Sequence, residues 1–66
     1  MRERIIKAVQ SHAKGHIDKH LANIEVYLNN PVGIGEHPDI IGAIEIELKA
    51  ISEYEDQLEI ISKYLG

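Results

Sequence analysis

At 66 residues, 44% of them apolar, with a net charge of -4 and no cysteine, the chain is one small domain at most, and disulfides and thiolate metal sites are excluded. The acidic balance disfavours generic nucleic-acid binding, which needs a basic footprint to release counterions from phosphates. A chain this short buries a smaller fraction of its surface than a larger protein does, so self-association is the expected route to a complete core.

Arg2, Glu3 and Arg4 follow Met1 directly, and no apolar run approaches the ~20 residues that span a bilayer. A cytoplasmic protein without a membrane partner is the expectation. From Arg2 to Leu28 the chain is free of Pro and dense in Ile, Leu, Ala, Glu and Lys, which predicts a first helix. Ile6, Ala13, His20 and Tyr27 recur at sevens, with Gln10, Ile17 and Ile24 interleaved and Val9, Leu21 and Leu28 beside them. This is a bundle seam with two polar interruptions. Gly15 falls in mid-helix, where the simplest explanation is close approach by a neighbouring helix. Asn29 suits a left-handed C-terminal conformation, and Asn30 is pushed out of the helical region by Pro31.

The connection over residues 29–38 holds both prolines and carries Val32 just before Gly33 and Ile34 between Gly33 and Gly35. Those two aliphatics read as a plug over the open end of a helix pair or, more sharply, as an exposed partner site. Gly33-Ile34-Gly35 is no phosphate loop, because no third Gly or Lys follows at the required spacing and no strand precedes it. His37 next to Pro38 and Asp39 reads as a helix start, with Pro38 in the first turn and Asp39 against the positive end of the dipole.

The second helix is expected over roughly 38–65. Ile44, Ile51, Leu58 and Leu65 form its seam at sevens, with Ile41 and Leu48 on one flank and Ile40, Tyr54 and Ile61 on the other. Two helices of equal length and a short link give a single all-α antiparallel hairpin domain spanning residues 1–66. Residues 1–28 carry five basic and three acidic side chains and residues 39–65 carry two basic and seven acidic, so the two halves differ in sign and attract. Ile46 and Ile60 stand off this seam on an outer stripe and invite a second interface. A dimer of hairpins forming a four-helix bundle is the economical arrangement.

One cluster stands above background. His12, His16 and His20 are spaced by four and project from one helical face, as two imidazoles gripping a transition metal do. Folding about the loop brings residue i near residue 67 minus i, setting His12 level with Glu55 and His20 level with Glu47. The alternative reading is therefore a bundle that binds zinc or another divalent transition metal through His12, His16, His20, Glu47 and Glu55. Against it, the Glu-x-x-His motif of carboxylate-bridged di-iron bundles is missing, and a polar residue such as His20 on the seam can instead fix register. Catalysis has less support, and no enzyme is expected. Ser11, Ser52 and Ser62 lie inside the predicted helices without a nucleophile elbow, and the acid pairs Glu45/Glu47 and Glu53/Glu55 read as a solvated face. Tyr27, Tyr54 and Tyr64 read as packing residues.

From Tyr27 to Ile44, and again at Gly15-His-Ile-Asp-Lys-His20, the chain resembles small helical proteins, of no assigned activity, encoded by marine cyanobacterial myoviruses and found in ocean metagenomes. The resemblance implies a viral or marine-bacterial origin, and with a viral one the cytoplasm of the host cell and a host or virion protein as a further candidate partner. It transfers no catalytic residue, and it favours a structural or adaptor role.

Overall fold

A computed structural model describes residues 1–29 and 39–66. Among them every residue except Met1, Asp39 and Gly66 is helical: α1 runs Arg2–Asn29, α2 runs Ile40–Ile60, and α3, a single π-helical turn, continues α2 over Ile61–Leu65. The molecule is the expected all-α hairpin. Val32, Ile34, His37, Pro38 and the Asn30-Pro31 stop lie outside the described residues.

Two contacts fix the antiparallel register. Nδ1 of His20 lies 3.2 Å from Oε2 of Glu47, and the Arg2 guanidinium donates to the Leu65 carbonyl oxygen at 2.9 Å. In both pairs the residue numbers sum to 67, so the helices pair in register along their length. The Arg2 contact also satisfies one of the carbonyls that a helix C-terminus leaves without a partner and sets a cation at the negative end of the dipole.

Several local expectations are corrected. Asn29 does not leave the helix; its amide donates to the Glu25 carbonyl oxygen at 2.8 Å and to Glu25 Oε2 at 3.1 Å, holding it in the last turn. Asp39 is the N-cap and not a first-turn residue, and α2 begins one residue later, with Asp39 Oδ1 accepting from the Gly42 N–H at 2.9 Å. A Cβ built on Gly15 meets nothing within 4 Å, so this glycine answers no close approach inside the hairpin. Leu65 is not on the seam. The wider π turn breaks the seven-residue phase and leaves Leu65 half-exposed, while Ile61, where the turn begins, is buried.

The core is thin. Ala13 and Ile61 are the only buried hydrophobic residues among those described, with Ile6, Ile17, Ile24, Tyr27, Ile40, Ile44, Ile51, Tyr54 and Leu58 half-buried along the seam. Ala13 marks a place where the helices come close, because only a small side chain leaves no surface there. The flanking residues Val9, Leu21, Leu28, Ile41 and Leu48 remain exposed. The hairpin measures 48 × 16 × 14 Å with a radius of gyration of 15.2 Å, against about 11 Å for a compact domain of this length.

Candidate functional site

The three histidines do share a face, and what organises them is a tyrosine. The seam drifts around α1, so His20 falls in it, His16 at its edge and His12 outside it. Tyr54 of α2 lies against all three. Its ring stacks on His16 at 4.5 Å between centroids with 12° between planes, and sits 6.2 Å from His12 and 6.3 Å from His20. His12 and His16 are tilted against each other at 4.4 Å. Tyr54 thus does more than the packing its sequence position predicts; its level opposite residues 12 to 16 is the signal the sequence carries.

Beside this stack Glu47 is buried and accepts two hydrogen bonds, one from His20 Nδ1 and one from the Asn23 amide. Asn23 was not anticipated, although its place one turn after His20 puts both donors on one face. A buried carboxylate is tolerated only with such partners. In contrast, Nδ1 of His16 is closed off from solvent and has no hydrogen-bond partner among the described residues. Burial, then the positive charge that His12, Lys19 and His20 would set beside it, holds the His16 imidazole below its ordinary value of 6.5.

Of the residues expected to bind metal, the structure brings His12, His16 and His20 into one row and Glu47 onto His20, but not Glu55. Glu55 is exposed and follows Tyr54 by one residue, about 100° further around α2, so it stands away from the His12 side. Tyr54 occupies the place opposite His12. Among the described residues no three His, Asp or Glu side chains are grouped to hold a metal ion. The carboxylate that could complete a set already accepts a hydrogen bond at each oxygen, from His20 and from Asn23.

Of the residues expected to meet a partner, Ile46 and Ile60 are 70% and 54% exposed, and Val32 and Ile34 lie outside the described residues. Two shallow hollows follow single helices, one along Glu3, Arg4, Lys7 and Ser11 and one along Ser52, Glu55, Asp56 and Glu59; neither reaches the histidines. No described helix is long and apolar enough to cross a membrane. No family model, curated protein or solved structure matches this chain.

Proposed function

We propose that the chain is a non-enzymatic assembly module whose hairpin pairs with a second copy into a four-helix bundle, acting in the cytoplasm, of an infected cell if its origin is viral. One observation carries this reading: the single hairpin leaves its own interior unfinished. It exposes 5307 Å² of surface, about a quarter more than the ~4200 Å² expected of a compact monomer of 7.4 kDa. Large aliphatic side chains are exposed on both sides of the seam, among them Val9, Val26, Leu21, Leu28, Ile41 and Leu48. The polar cluster at Glu47 supports the same role, since a single satisfied polar contact in a thin seam specifies register where hydrophobic area alone would allow slippage.

Co-expression tests it. With the two copies made in equal amount and pairing at random, the tag should carry through purification about one untagged copy for every two tagged ones; recovery of the tagged copy alone, from a folded helical sample, would reject self-assembly.

The second reading is a transition-metal grip by His12 and His16, favoured by the closeness of their rings. It is tested by metal content of untagged protein before and after His12→Ala and His16→Ala. An equimolar metal that both changes remove would support it.

A further inference from the structure

The assembly reading leaves open which face the second copy covers, and the arrangement of exposed residues answers it. On α1, His16 and Leu21 stand about 140° apart around the helix with the seam between them; on α2, Tyr54 and Leu48 stand about 120° apart with Ile51 midway. His16 and Tyr54 are stacked, so they mark one side of the hairpin. Leu21 and Leu48 therefore share the other side. Leu28 and Ile41, each seven residues away on the same stripe, join them at the loop end.

These four aliphatics are between 48% and 74% exposed and line one side of the hairpin at its loop end. Continuing the same two stripes away from the loop gives Lys14 and Lys7 on α1 and Glu55, with Glu59 beside it, on α2; all four are exposed and none forms an ion pair among the described residues. The face is thus apolar at one end and, beyond it, carries Lys14 and Lys7 along one edge, with Glu3 at the terminus of the same stripe, and Glu55 and Glu59 along the opposite edge. On the histidine side, Ile46 and Val26 near the loop are separated from Ile5 and Val9 by the imidazoles and Lys19, and Ile60, nine residues from Ile51, stands on the back of α2.

We infer that the face of Leu21, Leu28, Ile41 and Leu48 is covered by a second copy related by a two-fold axis parallel to the helices, with both loops at the same end. This rests on the assembly reading and assigns its geometry. Such an axis keeps heights unchanged and sets α1 of one copy over α2 of the other. In-register pairing, with residue numbers summing to 67, then brings Leu28, Leu21 and Lys14 to within about 3 Å, in height, of the partner copy's Ile41, Leu48 and Glu55. Apolar meets apolar and lysine meets glutamate, twice over. The competing arrangement, with loops at opposite ends, stacks α1 on α1 and sets Leu28 near the lysine end. Like charges would then face each other and an aliphatic patch would meet a charged one. All neighbouring helices in the preferred bundle run antiparallel.

Analytical ultracentrifugation of the full chain and its variants, with helicity followed by circular dichroism, tests this. Leu48→Lys and Leu21→Lys, both in good helix formers on exposed positions, should raise the dimer dissociation constant at least about a hundredfold. Lys14→Glu should weaken the dimer about tenfold, and adding Glu55→Lys should restore it to within about threefold. A dimer that survives both leucine changes, or that is lost in Ile46→Lys with Ile60→Lys but not in Leu48→Lys, overturns the assigned face while self-assembly stands. A charge swap that fails to restore the Lys14→Glu loss overturns the orientation. Wild-type protein that sediments as one copy overturns the assembly reading and this inference with it. If a leucine variant loses its helicity, the charge swap, made wholly on the surface, decides the face.

Discussion

Removing the Glu47 carboxylate should destabilise the hairpin more than any other single polar change. Glu47→Ala leaves the His20 N–H and the Asn23 amide without their acceptor, at a site where the His20 and Glu47 side chains are only 16% and 11% exposed. A hydrogen bond to a charged acceptor contributes about 1.5–3 kcal/mol and a stranded buried donor costs about 1–3 kcal/mol, with residual solvent at the seam lowering both. A net loss of about 2 kcal/mol follows, which for a chain of this length lowers the melting temperature by roughly 8–16 °C. Thermal denaturation followed by circular dichroism at one fixed protein concentration measures it. Replacing the whole cluster at once, His20→Leu with Asn23→Ala and Glu47→Leu, strands no donor and should recover most of the loss, to within about 1 kcal/mol of the parent. A Glu47→Ala protein that melts within about 2 °C of the parent would refute the claim that this carboxylate holds the register.

Gly15→Ala should raise the melting temperature by about 4–8 °C, since the new methyl meets nothing within 4 Å and removes up to ~1 kcal/mol of helix penalty; no rise, together with a weakened dimer, would place a second copy against Gly15. Asp39→Ala removes the acceptor for the Gly42 N–H and should cost about 1 kcal/mol in the same assay, and an unchanged melting curve would show that the cap contributes nothing. Stability should also depend on pH through His16. Its folded-state pKa is lowered, so the unfolded chain takes up the proton first; stability is full above the ordinary value of 6.5 and is lost as the pH falls below it. Denaturant unfolding across that range should show the slope, and His16→Gln should flatten it; an unaltered slope in the variant would assign it to other groups.

The hairpin and its register were legible in the sequence because the seam repeats at sevens on both sides of a Pro- and Gly-rich connection, and because the two halves carry opposite charge. The site was legible only in part. Spacing by four set the three histidines on one face, but spacing alone could not say which α2 residue fills the place opposite them. Level arithmetic paired His12 with Glu55, whereas the structure sets the ring of Tyr54 there, because level and side of the helix are separate coordinates. The π turn at Ile61–Leu65 was invisible for a similar reason: a seven-residue count presumes a constant helical twist, and one wide turn shifts every later residue around the axis.

The claim beneath the whole account is that one hairpin cannot finish its own core. Light scattering across a micromolar concentration series reads this most directly. The account predicts a molar mass of twice the 7.4 kDa of one chain, with a melting temperature that rises with concentration. A mass of one chain, with a cooperative melt independent of concentration, would contradict it.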